Sequence, residues 1–244
     1  MKVALFVTCL VEAFAPEVAS AAARLVARSG ANLEVVTVGM GCCGQPAWNA
    51  GYAAQARALA RQLIPRLAGF DLVVVPSGSC AAMLVRYYPH LFAEGDPLAA
   101  QAAELAARCR ELSAHLAERG LAAAGATDPA EGRVAFHPSC HSLRGVGVGD
   151  AGERCLAAAG CTLAHPADRE ECCGFGGIFA VKEEALSTAM ADRKLDSLLG
   201  AGASTVVAGE LGCLLHLEGR ARRRGMRLSF KHLAEALVER DGHD

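Results

Sequence analysis

Two adjacent cysteines followed by glycine occur twice, in Gly41-Cys42-Cys43-Gly44-Gln45-Pro46 and in Glu171-Cys172-Cys173-Gly174-Phe175-Gly176-Gly177. Each copy sits inside a longer cysteine frame. Cys9 lies 33 positions before Cys42 and Cys80 lies 37 after Cys43; Cys140 lies 32 before Cys172 and Cys213 lies 40 after Cys173. Eight of the eleven cysteines thus form two sets of four with nearly the same spacing. The arrangement predicts a duplicated chain whose fold must gather soft ligands from separate loops, once per copy.

The rest of the chain repeats with the cysteines. Lys2-Val-Ala-Leu-Phe-Val-Thr-Cys9 matches Arg133-Val-Ala-Phe-His-Pro-Ser-Cys140 position for position, each a short β-type run leading into cysteine. Further strands are predicted over Leu33–Val38, Leu72–Val75, Thr162–Ala164, Thr205–Ala208 and Arg227–Phe230. Between them, helices are predicted over Pro16–Arg28, Trp48–Leu67 (with Pro65 ending or kinking it), Pro97–Arg119, Gly152–Ala159, Lys182–Leu199, Leu214–Arg224 and His232–Arg240. In the helix over Pro97–Arg119, Leu98, Leu105, Cys109, Leu112 and Leu116 share one face. Apolar strands alternating with helices predict an α/β fold: two tandem pseudo-symmetric repeats, each a small parallel sheet flanked by helices, with cysteines at strand C-terminal ends. Residues 1–121 form the first repeat, the Ala- and Gly-rich stretch 122–132 a linker, and residues 133–244 the second.

Composition narrows the function. The formal net charge of -2 gives no basic field for nucleic acid. Lys2, the apolar run after it and Ala13-Phe14-Ala15 mimic a signal peptide, but Glu12 interrupts the run and cleavage would discard Cys9. No apolar run approaches the roughly 18 residues of a transmembrane helix. A cytoplasmic protein is expected, where thiols stay reduced and clustered cysteines mean metal more often than disulfide. An odd number of cysteines also fits a complete disulfide framework poorly.

Thiolates select zinc, Cu(I) or iron–sulfur clusters. Structural zinc sites take cysteines in close pairs two to four residues apart, a pattern missing here. Ligands spread over three strand ends suit a large iron–sulfur cluster better, in at least one repeat, with zinc or metal-free redox thiols as alternatives. The expected ligands are Cys9, Cys42, Cys43, Cys80, Cys140, Cys172, Cys173 and Cys213. His137 and His141 flank Cys140 as ligands or as hydrogen-bond partners of sulfur. Cys80-Ala-Ala-Met83 and Cys213-Leu-Leu-His216 place Met83 and His216 three positions after a cysteine, where each can point towards a site or simply pack. Cys109, Cys155 and Cys161 have no counterparts between repeats and read as structural. Arg220–Arg224 reads as a solvated face, with docking of an acidic partner as the alternative. Gly174-Phe175-Gly176-Gly177 lacks the spacing of a dinucleotide fingerprint, and no nicotinamide or flavin motif occurs.

At Phe6-Val7-Thr8-Cys9-Leu10, Cys42-Cys43-Gly44-Gln45-Pro46-Ala47, Pro76-Ser77-Gly78-Ser79-Cys80, Glu171-Cys172-Cys173-Gly174-Phe175-Gly176-Gly177 and Gly212-Cys213-Leu214 the chain resembles the cysteine-rich domain family. That family includes the Cys-Cys-Gly subunit of heterodisulfide reductase and the iron–sulfur subunit of glycolate oxidase, and the resemblance spans essentially the whole chain. It is similar to short members made of just two repeats. The resemblance implies an iron–sulfur electron-transfer subunit, carrying one or two clusters of [4Fe-4S] type or zinc in one repeat. It also implies a role in oxidising L-lactate to pyruvate, alongside partner lactate-utilisation proteins that include another iron–sulfur protein. The family pattern ends in Cys-x-x-Cys, whereas Met83 and His216 replace the final cysteine here. Cubane, noncubane and mixed sites therefore stay open, as do a heterodisulfide-reductase-like or glycolate-oxidase-like oxidoreductase subunit and a zinc-stabilised interaction protein.

Overall fold

The computed structural model describes residues 1–37, 42–122 and 132–239. Eight strands form two four-stranded sheets, with every neighbouring pair parallel. In the first, β1 (Lys2–Val7), β2 (Asn32–Thr37), β3 (Leu72–Val75) and β4 (Cys109–Glu111) take the order β2-β1-β3-β4. In the second, β5 (Arg133–Phe136), β6 (Leu163–Ala164), β7 (Ala203–Ala208) and β8 (Ser229–His232) take the order β6-β5-β7-β8. The topology is the same in both repeats. Each sheet reverses its winding between the first strand and the third, and the crevice outside that switch point is where open α/β sheets bind ligands.

Strand alternation divides the apolar residues between three layers. Val3, Leu5 and Val7 of β1 and Val134 and Phe136 of β5 face one shared core between the sheets. That core is filled by helices Pro16–Ala27, Leu112–Arg119, Ala151–Ala158 and Leu233–Glu239, contributed by both repeats. The opposite faces are covered separately. Ala4 and Phe6 pack under helices Ala53–Leu67 and Pro97–Arg108, whereas Ala135 and Val206 pack under helices Glu184–Gly200 and Leu211–Arg223. The two repeats are thus joined through a common apolar layer.

Several elements differ from the sequence expectation. The single helix over Pro97–Arg119 is two helices, Pro97–Arg108 and Leu112–Arg119, separated by β4. Cys109 pairs with Val73 and Glu111 with Val75, so these residues leave the helix to complete the sheet. Strong helix formers on both sides conceal a three-residue strand. Its extended Glu111 also caps the next helix, accepting from the Ser113 and Ala114 amides at 2.8 and 3.2 Å. The helix over Trp48–Leu67 is likewise two, Gln45–Asn49 and Ala53–Leu67, broken where Gly51 takes φ 85°. Pro65 sits within the last turn and the helix runs on to Leu67. Glu183 divides Phe179–Lys182 from Glu184–Gly200, and His232 ends β8 instead of opening the final helix. Of the expected linker 122–132, residues 123–131 lie outside the described residues, as do 38–41, which begin the first cysteine loop. Among the described residues, no helix is long and apolar enough to cross a membrane.

Candidate metal centre

The cysteines sit where the topology requires. Cys9 follows β1, Cys42 and Cys43 follow β2 and Cys80 follows β3; Cys140, Cys172–Cys173 and Cys213 follow β5, β6 and β7 in turn. All eight line one cavity of about 190 Å³ between the C-terminal edges of the two sheets. Within it they remain two groups. Cys9, Cys42, Cys43 and Cys80 form one chain of thiol–thiol hydrogen bonds, with Cys43 and Cys80 sulfurs 3.1 Å apart. Cys140, Cys172, Cys173 and Cys213 form the other. In each group the lone first cysteine and the first of the pair are half-buried, and the remaining two are buried.

The glycine after each pair has a geometric role. Gly44 and Gly174 adopt φ 92° and 89°, where residues with a side chain are strained, and turn their amides back onto Cys42 and Cys172 Sγ at 3.4 Å. A Cβ on Gly174 would also lie 2.5 Å from the Ser187 carbonyl oxygen. The Phe175 amide donates to Cys173 Sγ at 3.5 Å. Hydrogen bonds from the Cys43 and Cys9 thiols hold Cys42 far below the ordinary thiol range, and bonds from Cys140 and Cys173 do the same for Cys172. Those same bonds push Cys9, Cys43, Cys140 and Cys173 up. Each group therefore offers one thiolate, Cys42 or Cys172, to a soft metal, with the thiols hydrogen-bonded to it to be deprotonated on binding.

The surrounding side chains break the symmetry. His137 is 1% exposed, with its ligand atom and the Cys173 and Cys213 sulfurs all within 4.8 Å of one another. Among the described residues neither His137 nitrogen has a hydrogen-bond partner, and burial, aided by the Lys194 charge, pushes its pKa down to about 3, so the ring is neutral. The equivalent residue in the first repeat is Phe6, packed in the apolar cluster that holds Cys43 and Cys80. His141 spans the two repeats: Gln45 Nε2, which can only donate, lies 3.3 Å from its Nε2, leaving Nδ1–H facing Cys140 Sγ at 3.8 Å. Met83 is fully buried among apolar residues. His216 meets Phe175 in a tilted ring contact at 6.0 Å and lies 3.3 Å from Ser187 Oγ, which in turn donates to the Gly174 carbonyl at 2.8 Å. Met83, His137 and His216 all lie outside the cavity lining; of the three, only His137 approaches the cysteine sulfurs as part of a three-atom cluster.

Sequence reasoning passed over three residues that fix these loops. Glu210, 6% exposed, accepts from Ser77 Oγ at 2.9 Å and the Ser79 amide at 2.8 Å, tying the loop before Cys213 to the loop before Cys80. A lone acid ending an apolar strand was its only signal. Tyr88 donates to the Cys43 carbonyl at 2.9 Å. Lys194, 2% exposed, donates to the Asp168 and Arg169 carbonyls and places a positive charge near Cys172 and Cys173. Its counterpart in the first repeat, counted from Ala56 and Ser187 that pack on the two glycines, is apolar Leu63. Elsewhere three of the four arginines in the basic run are matched, with Arg220 bidentate on Asp192 at 2.7 Å, Arg224 on Asp192 and Asp196, and Arg222 on Glu218.

The chain is similar to known proteins over its whole length. The cysteine-rich domain family profile matches residues 3–85 and 134–218, once per sheet. Lactate utilization protein A of Geobacillus kaustophilus is 41% identical over 243 residues, covering 99% of this chain and 100% of that protein. The proteins of that name from Oceanobacillus iheyensis and Macrococcus caseolyticus are each 37% identical, over 99% and 97% of this chain and 99% and 96% of their own lengths. Among solved structures, glutamate racemase RacE1 of Bacillus anthracis is similar at a TM-score of 0.41 and 12% identity, covering 98% of this chain and 79% of that one. With its profile matched in both halves and relatives aligned from end to end, the chain belongs to the cysteine-rich domain family.

Proposed function

We propose that this protein is an iron–sulfur electron-transfer subunit of a cytoplasmic system that oxidises L-lactate to pyruvate, working with other lactate-utilisation proteins. The observation that carries the reading is two four-thiol groups facing one cavity across the junction of two repeats. The substrate comes from the relatives named lactate utilization protein A. The donor set fits such a group: soft thiolates from three strand ends, backbone amides aimed at sulfur, and apolar surroundings that exclude water. Cys9, Cys42, Cys43 and Cys80 would hold one centre, and Cys140, Cys172, Cys173 and Cys213 the other. Iron–sulfur clusters, of [4Fe-4S] type in at least one repeat in this reading, would supply one-electron transfer when bound.

The described residues that line the cysteine cavity bind and orient but do not compose a lactate site. Oxidising lactate requires a cationic group for its carboxylate and a base for its hydroxyl proton. Among the described residues lining the cavity, none is Lys or Arg, Glu210 is committed to Ser77 and Ser79, and His141 is engaged by Gln45 and Cys140. Half-buried Cys9, Cys42, Cys140 and Cys172 leave a short path to a partner surface. The test is lactate turnover by the anaerobically metallated protein with an artificial acceptor, alone and with its partner proteins. Activity is expected only with the partners and is expected to vanish in Cys43→Ser and Cys173→Ser; steady turnover by the chain alone would overturn the reading.

A further inference from the structure

Duplication makes Phe6 and His137 equivalent, and strand alternation aims both away from the shared core, towards the second cysteine of the pair and the cysteine after the third strand. In the first repeat that position is filled by hydrocarbon. In the second it holds an imidazole that is 1% exposed. A buried polar ring costs free energy unless its nitrogens are matched, and a neutral imidazole has one donor and one acceptor to satisfy. Among the described residues His137 matches neither, although the chain supplies partners to its neighbour Lys194. What lies within reach instead are the sulfurs of Cys173 and Cys213, with the three ligand atoms all within 4.8 Å of one another. Two sulfurs and one nitrogen at that spacing can share a single metal ion, whose bonds run about 2.3 Å to sulfur and about 2.0 Å to nitrogen.

We propose that His137 is a nitrogen ligand of the metal centre in the second repeat, completing with Cys173 and Cys213 a coordination that the first repeat, with Phe6, cannot form. The proposal rests on the reading that the cysteine groups hold metal, and it makes the two centres chemically different. Imidazole is a neutral donor where a fifth cysteine would bring another negative charge. Both centres then have four thiolates, and His137 adds a ligand to the second without adding charge. What separates them electrostatically is Lys194, whose positive charge lies near Cys172 and Cys173 where the first repeat has apolar Leu63. That charge favours the reduced form of the second centre over that of the first, which sets a direction for electrons within the chain.

The experiment uses the full-length protein grown with nitrogen-15 histidine, reconstituted anaerobically with iron and sulfide. Metal content is measured first, then nuclear hyperfine spectra of the reduced protein, with cobalt(II) as the probe if the second site takes a single divalent ion. A strongly coupled histidine nitrogen is expected in the wild type. It should be lost in His137→Phe, which copies the first repeat, and kept in His141→Ala. Metal bound without a strongly coupled histidine nitrogen, or a coupling lost with His141 instead of His137, would overturn the proposal while leaving the metal reading intact. Absence of metal from the reconstituted wild type would overturn both. Because the decisive spectrum is that of the wild type, misfolding of the His137→Phe variant would not rescue the idea.

Discussion

At the scale of single residues, the two cysteine groups and a few buried charges carry the expected behaviour. Cys173→Ser should lower the bound metal, whereas Cys109→Ala should not, because Cys109 is 2% exposed in the core on β4, away from the cavity. Iron and sulfide analysis of both variants checks the contrast. Gly174→Ala combines a left-handed backbone with a Cβ 2.5 Å from the Ser187 carbonyl oxygen. It is expected to cost more than the roughly 1 kcal/mol of the backbone conformation alone, read as a lowered denaturation midpoint. Glu111 gives a pH dependence. Burial, with the Glu210 charge adding to it, raises its pKa from 4.5 to about 7 against the bonds donated by Ser113 and Ala114; the Cys155 thiol is the other titratable neighbour. A folded-state pKa above the unfolded one means the native state holds the proton more tightly. Its contribution is complete below pH 4.5 and is lost as pH rises through about 7. The loss amounts to roughly 3 kcal/mol at most. Glu111→Gln should flatten that part of the stability profile, measured by urea unfolding between about pH 5 and pH 8.

At the scale of elements, the junction between the repeats depends on glycines whose missing side chain leaves room for the neighbouring repeat. The helix Gly78–Ala82 packs against the turn His141–Gly145, and a Cβ on Gly145 would meet Ala82 Cβ at 2.7 Å. Gly145→Ala is therefore expected to lower the melting temperature and the metal retained by both cysteine groups, since the loops carrying Cys80 and Cys140 must separate. Gly219 is the control. It lies exposed in the helix Leu211–Arg223 with nothing within 4 Å of where a Cβ would sit, so Gly219→Ala should stabilise by about 0.5–1 kcal/mol through helix propensity alone. Calorimetry of the two variants, with opposite signs expected, separates close packing from propensity. The strand β4 has its own signature. Because Cys109–Glu111 pair with β3, their amide exchange should follow that of the sheet and not that of the flanking helices.

At the scale of the whole molecule, the shared core makes the repeats interdependent. Val18, Ala22 and Leu25 of the helix Pro16–Ala27 pack into the same cluster as Leu233 and Leu237 of the last helix. Residues 1–121 alone would expose that layer to water. Full-length protein should unfold in one transition, and the 1–121 fragment should lack a cooperative one. Leu25→Ala, at a fully buried position of that layer, should cost about 2–5 kcal/mol and lower the midpoint of the single transition without dividing it. Two resolved transitions would mean that the halves fold separately.

What the sequence determined by itself was whatever is local or repeated. Apolar strand runs ending at cysteine, the positions of β1, β3, β5 and β7, and the grouping of eight cysteines into two frames were all legible, because strand propensity and ligand spacing are written in neighbouring residues. Only the tertiary structure decided the rest. Cys109–Glu111 is a strand because the edge of β3 is open to it, a partnership 36 residues away that no helical periodicity reports. Both cysteine groups face one cavity because the sheets meet through a common core, and Glu210 crosses that junction to Ser77 and Ser79. His137 differs from His141 and His216 in one respect invisible to spacing: folding removes it from water and leaves one ring nitrogen within 4.8 Å of two sulfurs. Desolvation and orientation depend on every layer packed around a residue, so they exist only once the chain has folded.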